Sequence, residues 1–568
     1  MNSTTDQSVV AAIASLLQQT LSTDSQVLSS EADLAVYKRN CEGSLTSPGC
    51  AVKIGNKQDI VKVLTLAGDH KNTGIPFSVH PISTGRNWGY ASARANDANA
   101  VILDLSKLNR ITCDDKTLGI FTVEPGVTQQ DLRDYLDLHQ LKYMVPVTGA
   151  GPGCSILGNA LERGYGITPY TDHFAAVNSI RGFLADGTAI RSAVAELDES
   201  TDDFIDKTYK YGLGPYLDGL WTQSNLAVVT EISLRLKADP EAFSAFYLQF
   251  ASEHEFEQAQ QIVFTILQKL EGVVGSVNIM DQRRVTAMMA PNPNGPAAHK
   301  VMTDQQLARL AKDYDIPAWT IAGTLYGQKS VVKAARAEIK RFAAGHCSKK
   351  IFSDSGLIKL GRLLMQLLPD TILSKQRKML GSLDGGIEIM RGFPNQVALP
   401  VAYWRNPGCQ PLKSRALNPA VDGCGLLWYA PLVPMKSDAM RCFISHVRAV
   451  CPKYGIEPMI TFTSLKHDTV DSTIPIVFNL ADSNAVAQAQ ACLDELVSEG
   501  LKQGWVPYRL NLAQQASLLK ADQPFWQISN KIKQALDPDN IISPGRYQPT
   551  GCSSAPDVNP VSGANHQT

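Results

Sequence analysis

The chain has 568 residues and a formal net charge of -1, with 44% hydrophobic and 19% charged residues. That is the composition of a globular protein, and at roughly 100–200 residues per domain the length suggests two to four structural units. Balanced, mixed charge gives no field to hold a polyphosphate backbone, and no run approaches the roughly 18 consecutive apolar residues that span a bilayer, so nucleic-acid and membrane partners are both excluded at this level.

The N-terminal stretch lacks a basic start, and Val9, Ile13, Leu16, Leu17 and Leu21 repeat at helical spacing. It reads as a packing helix rather than a secretion signal. Residues 1–45 are expected to hold that helix and then a polar loop. From about 46, strand-like and helical runs alternate: Ala51–Ile54, a helix over Lys57–Ala67, then strands at Phe77–Ile82, Ala100–Leu105 and Ile120–Val123. Such alternation implies an α/β or α+β core. Pro125 and Gly126 turn the chain after a strand, and Thr128 can cap the helix that follows. Residues 178–237 are strand-rich, with a hairpin turn at Ala185-Asp186-Gly187-Thr188. Residues 240–500 mix long helical stretches, such as Glu253–Leu270 and Lys333–Ala344, with strands such as Ile474–Leu480. The tail after Gly551 has the composition of a disordered segment.

Eleven cysteines, an odd number with no C-x-x-C pair, argue against a disulfide framework and a zinc ribbon. A reducing, cytoplasmic setting fits them. The ten histidines form no H-x-x-x-H pattern, so no metal site is expected.

Two segments carry chemistry on composition. Ser83-Thr84-Gly85-Arg86-Asn87 follows a strand and clusters small residues with one Arg, as in backbone concavities that hold pyrophosphate; an ordinary turn is the other reading. Thr148 to Gly164 places four glycines (149, 151, 153 and 158) within or before a short apolar helix, again a candidate anion site. Two further segments, Trp505 to Asn511 and Leu536 to Tyr547, carry no assignable role by themselves.

Taken together these segments resemble the vanillyl-alcohol oxidase and p-cresol methylhydroxylase flavoproteins. The motifs are S-T-G-R-N-x-G-Y from Ser83, V-E-P-G-V-T from Val123, L-G-N-A-L-E-R-G from Leu157, the run Gly212–Asn225, the pair Tyr508-Arg509, and D-P-x-N-I-I-x-P-G-R from Asp537. They occur in the family's order over about 46–548. The resemblance implies an α+β, two-domain flavoprotein: a PCMH-type FAD-binding domain (1–238, core about 46–238, completed by 502–568) with an inserted α/β cap, 239–501.

By the same resemblance Ser83, Thr84, Gly85, Arg86 and Asn87 wrap the FAD pyrophosphate. Gly149, Ser155, Gly158 and Asn159 lie along the flavin, Val228 and Val229 serve the adenine side, and Arg546 completes the cofactor set. Tyr90, Tyr508 and Arg509 match the residues that bind a substrate phenol as phenolate, which implies hydride transfer from the benzylic carbon of a para-substituted phenol. The always-charged guanidinium would lower the phenol's pKa. The other readings are a non-phenolic alcohol, hydroxy acid or natural-product intermediate as substrate, or a non-catalytic descendant that only binds a ligand.

Leu426 stands where relatives attach FAD through the cap, with Tyr429 close by, and Asn87 stands where others use His; non-covalent FAD is the expectation. No match exists for an active-site Asp, whose place falls at Val147 or Ala150, and Ile167 replaces a Tyr. These departures imply a more apolar pocket without a carboxylate base. A small aromatic substrate, oxygen or an electron-accepting protein, and a homodimer are the implied partners.

Overall fold

The computed structural model describes residues 7–43, 48–97, 99–168, 170–200, 204–295, 300–353, 381, 383–411 and 415–549. The tail expected to be disordered lies outside them.

Three sheets organise the chain. In the first, β1 (Gln26–Leu28), β2 (Cys50–Lys53), β3 (Val79–Ile82) and β4 (Val101–Asp104) take the order β1-β2-β4-β3, with β2 and β3 parallel to β4. Parallel neighbours need a crossover, and α3 (Lys57–Asp69) provides it between β2 and β3, burying Ile60, Val63, Leu64 and Ala67. The N-terminal helix α1 (Gln7–Thr20) packs Ile13 and Leu17 into the same core.

The stretch expected to follow α1 as a polar loop instead contains β1 and the helix α2 (Glu31–Lys38). Ser30 caps α2 by accepting from Asp33 N, and β1 exists because its three residues pair antiparallel with β2. A three-residue strand carries too little pattern to be read without its partner.

The second sheet is antiparallel: β5 (Ile111–Asp115), β6 (Ile120–Val123), β8 (Val177–Phe183), β9 (Ala189–Ile190) and β10 (Val228–Arg235), in the order β5-β6-β10-β8-β9. A short ribbon joins β7 (Tyr143–Met144) to β11 (Lys237–Ala238). Helix α4 (Gln129–Leu138) opens on a capping box in which Thr128 and Asp131 satisfy each other's backbone N–H. Helix α5 (Ile156–Leu161) follows the glycine-rich loop.

The third sheet has seven strands: β12 (Ala242–Phe250), β13 (Val274–Asp281), β14 (Trp319–Gly327), β15 (Lys349–Ser353), β17 (Leu432–Pro434), β18 (Thr461–Ser464) and β19 (Thr469–Ser472). Their order is β15-β12-β14-β13-β18-β19-β17. One face is apolar: Ile279, Ile321 and Phe462 pack with helices Phe256–Lys269 and Ser437–Val450. The period-2 alternation of strands puts Asn278, Thr463 and Asp471, aligned across β13, β18 and β19, on the other face. A separate pair, β16 (Cys424–Tyr429) with β20 (Ile474–Asn479), stands beside this sheet.

The C-terminal segment returns to the first sheet. Val79 N donates to Ile541 O (2.8 Å) and Ser543 N to Val79 O (2.8 Å). A buried ion pair shapes this return: Lys533 Nζ lies 2.5 Å from Asp537 Oδ2 and also donates to the carbonyls of Asn225 and Ile542. The Asp537 carboxylate accepts from Ile541 N and Ile542 N, so the pair is hydrogen-bonded on both sides. No helix among the described residues is long and apolar enough to cross a membrane.

Candidate active site

A cavity of about 410 Å³ collects segments far apart in sequence. That falls within the roughly 300–1,000 Å³ of cofactor and ligand pockets. Its first wall is the loop after β3. Ser83, Thr84, Gly85, Arg86 and Asn87 all line the cavity. Among the described residues, none of their five backbone N–H groups donates a hydrogen bond. Unpaired N–H groups in a concave loop, with the Arg86 guanidinium beside them, fit a phosphate-bearing ligand.

Gly149, Ser155, Gly158 and Asn159 form the adjoining wall. The two loops touch through their glycines. A Cβ on Gly158 would stand 2.5 Å from Ser83 Oγ, and one on Gly153 would stand 2.6 Å from the Arg86 guanidinium carbon. The anion reading of the α5 start is narrowed, because the Ser155 hydroxyl already accepts from Gly158 N (3.0 Å). Val229 of β10 and Ala227 just before that strand line the cavity, whereas Val228 is fully buried in the core of the first sheet. Alternate residues of a strand face opposite ways, so the expected Val228–Val229 pair contributes only Val229.

Tyr90, Tyr508 and Arg509 converge on this cavity. Tyr508 and Arg509 lie in a bend after an isolated bridge at Pro507, not in a regular strand, and so both face inward. The Arg509 guanidinium carbon sits 4.5 Å from the centre of the Tyr90 ring. The Tyr90 and Tyr508 hydroxyls lie within hydrogen-bonding reach of each other, and burial raises both phenols' pKa values. Arg509 pairs with Glu162 (2.8 Å) and donates to Ser92 Oγ (3.2 Å), while its Nε is buried without a partner. Arg546 reaches the other oxygen of the same Glu162 and donates to Ser92 O (2.9 Å). Two guanidiniums thus share one carboxylate, which leaves a net positive charge facing the cavity.

The cavity wall carries the carboxylate of Glu162, which is ion-paired to both arginines. Ile167 does not line the cavity: its carbonyl accepts from Tyr326 and its side chain packs in the core. Tyr165 does line it, with its ring 5.2 Å from that of Tyr508 and its hydroxyl 3.3 Å from Thr473 Oγ1. Thr473 in turn donates to Asp471 Oδ2 (2.9 Å). Asp471 is fully buried, its Oδ1 has no partner, and burial raises its pKa to about 8. Glu162 lay inside a quoted motif, but nothing in sequence paired it with two arginines; Asp471 stands 37 positions from Tyr508 and carried no signal.

Leu426 and Trp428 of β16 face the cavity. Tyr429 points away from it, fully buried with its ring stacked on Phe443 at 6.0 Å, so a one-strand register does not bring it to the site. Trp428 Nε1 donates to Trp88 O (3.0 Å), tying β16 to the first wall. The remaining wall comes from Leu399, Val401 and Ala402 and from Arg284 of helix Gln282–Met289.

Comparison with known proteins points the same way. Residues 48–193 match the FAD binding domain family. Over 537 residues the chain is 26% identical to the flavoprotein subunit of 4-cresol dehydrogenase (hydroxylating) from Pseudomonas putida, covering 92% of each. It is 28% identical over 507 residues to 1'-carboxy-chondrochloren decarboxylase of Chondromyces crocatus, covering 89% of this chain and 90% of that one. The structure of substrate-bound p-cresol methylhydroxylase superposes with a TM-score of 0.80 at 24% identity, over 95% of this chain and 97% of the other.

The chain is similar in sequence and fold to the vanillyl-alcohol oxidase and p-cresol methylhydroxylase flavoproteins. The 4-ethylphenol oxidase of Gulosibacter chungangensis has the same fold, with a TM-score of 0.81 at 19% identity over 96% of this chain and 98% of its own. This flavoprotein is therefore an FAD-dependent oxidoreductase of α+β, PCMH-type architecture. The residues fit the cofactor: the Ser83–Asn87 loop offers donors for the pyrophosphate, and the unpartnered Nε of Arg509 offers one inside the cavity.

Proposed function

We propose that this flavoprotein oxidises a para-substituted phenol at its benzylic carbon. The observation that carries the reading is the meeting of Tyr90, Tyr508 and Arg509 in one cavity, with net positive charge from Arg509 and Arg546 over Glu162. Two phenol hydroxyls and a guanidinium fit one phenolate oxygen. Their charge is in place before the reaction, so it lowers the pKa of the bound phenol and costs no reorganisation. Ionising the ring oxygen raises electron density at the para carbon and loosens a hydride on the benzylic carbon. FAD, when bound, supplies the two-electron acceptor for that hydride.

Ser83 to Asn87 hold the pyrophosphate, Gly149, Ser155, Gly158 and Asn159 line the flavin, and Val229 and Arg546 complete the cofactor contacts. FAD is held without a covalent bond, since Leu426 and Asn87 offer no nucleophile. Residues 239–501 form the cap, and 1–238 with 502–568 the FAD-binding domain. Oxygen or an electron-accepting protein reoxidises the flavin.

A second reading keeps the ring chemistry and changes the outcome. After hydride loss, a carboxylate on the carbon next to the benzylic one leaves as carbon dioxide. Its bonding pair closes the side-chain double bond and returns an electron pair to the ring oxygen. The decarboxylase relative and the Arg284 guanidinium in the cavity favour it.

Anaerobic titration of the FAD-loaded protein with 4-hydroxybenzyl alcohol and a 4-alkylphenol tests the proposal. The oxidised flavin band should bleach. In Tyr508→Phe or Arg509→Ala the bleaching rate should fall about 100-fold, the cost of removing one preorganised donor. Acid precipitation should release all the FAD. A flavin that stays oxidised with every phenol refutes the reading.

A further inference from the structure

We propose that Arg284 selects a carboxylate on the substrate's side chain, so that the natural substrate is an anionic para-substituted phenol. The inference rests on the phenol reading above and names its substrate class.

The two adjacent arginines of helix Gln282–Met289 differ sharply. Arg283 is spent on structure: it pairs with Glu457 (2.5 Å) and Asp304 (3.0 Å) and donates to Met302 O (3.0 Å). Arg284 lines the cavity, and its Nε and Nη1 are buried with no hydrogen-bond partner. The nearest acid in sequence, Asp281, attracts it electrostatically but gives its guanidinium no hydrogen bond. Asp281 Oδ1 accepts from the backbone N–H groups of Arg284 (2.9 Å) and Ile460 (3.1 Å), and its Oδ2 faces Arg448 at 3.6 Å. Leu399, Val401 and Ala402, on the same wall, are apolar.

A buried guanidinium with two donor atoms unpartnered is costly, and burial outweighs the attraction of Asp281 and pulls its pKa down to about 10. A ligand that brings its own anion removes that cost. The planar fork takes a carboxylate through two parallel N–H donors, which makes Arg the residue for planar anions. The FAD pyrophosphate is not that anion, because the Ser83–Asn87 loop and Arg86 hold it on another wall. The phenol oxygen is not either, because Tyr90, Tyr508 and Arg509 take it. What remains is a negative charge on the side chain.

The test uses the FAD-loaded full chain and matched pairs: 4-hydroxyphenylacetate and 3-(4-hydroxyphenyl)propanoate, each against its primary amide. Dissociation constants come from the perturbation of the oxidised flavin spectrum and from the concentration dependence of anaerobic bleaching. At least one acid should bind about tenfold or more tightly than its amide. Arg284→Met should bring that ratio close to one, and Arg284→Lys should restore part of it. Acid and amide binding alike in the unmodified protein overturns the inference, as does an acid-to-amide ratio that survives Arg284→Met, or loss of FAD on that substitution. Acids that bind tightly yet never bleach the flavin would sink the phenol-oxidation reading while leaving the carboxylate site standing.

Discussion

Replacing Asp471 by Asn should make the protein's stability less dependent on pH. Burial raises this carboxyl from an ordinary value of 3.8 to about 8, so the folded chain holds it protonated where the unfolded chain has ionised it. Between those two values the folded state binds the extra proton, and raising the pH therefore favours unfolding. Each pH unit is worth about 1.4 kcal/mol. A shift of about four units means a loss on the order of 5 kcal/mol, present as stability below about pH 4 and gone above about pH 8. Asn is nearly isosteric and stays neutral. Its carbonyl can keep the hydrogen bond that Thr473 donates to Asp471 Oδ2 at 2.9 Å, and its NH₂ takes the place of the partnerless Oδ1. Stability of the FAD-loaded Asp471→Asn variant relative to the parent should be flat below pH 4 and then climb towards pH 8. Taking the difference cancels the contributions of other shifted groups such as Asp281. Urea unfolding at pH 5, 6.5 and 8, followed by flavin and tryptophan fluorescence, measures it. Two curves that run parallel from pH 5 to 8 would refute the reasoning, because Asp471 would then already be ionised. The same change should extend flavin reduction by a phenol to higher pH, since ionised Asp471 adds a negative charge beside Tyr90 and Tyr508 that opposes a phenolate.

Gly158→Ala should weaken FAD retention about tenfold or more, measured by ultrafiltration, because its Cβ would stand 2.5 Å from Ser83 Oγ and push the two cofactor loops apart. Unchanged retention would show that Ser83 moves freely. Lys533→Met should cost about 3–5 kcal/mol in urea unfolding, because it strands the fully buried Asp537 carboxylate. It should also release the 541–546 segment from β3, read as faster amide exchange at Val79 and Ser543. A loss below about 1 kcal/mol would mean that the pair contributes no more than an exposed one.

Local rules were enough for several features. Thr128 followed by Asp131 specifies a helix start because a hydroxyl and a carboxylate three residues apart satisfy each other's N–H groups, and the structure has that box. The helix over Lys57–Asp69 follows from apolar spacing, and the loop at Ser83–Asn87 from small residues after a strand. The order of the motifs carried the family and the cofactor. Pair and packing decisions were not legible. Strand β1 needs β2 beside it, and Val228 and Val229 part company because only the sheet says which face is the core. The site's charge was set by contacts between segments distant in sequence: Glu162 meets Arg509 and Arg546, and Asp471, bonded to Thr473, lies close enough to act on Tyr90 and Tyr508 electrostatically. Arg283 and Arg284 look alike as letters. Their difference, one paired and one facing a cavity, exists only once helix Gln282–Met289 is set against the third sheet. By itself the sequence determined the local elements and the kind of cofactor, because caps, turns and periodicity act over a few residues. The tertiary structure decided burial, charge balance and reach, because the desolvation and Coulomb energies behind them depend on neighbours that the chain brings together only by folding.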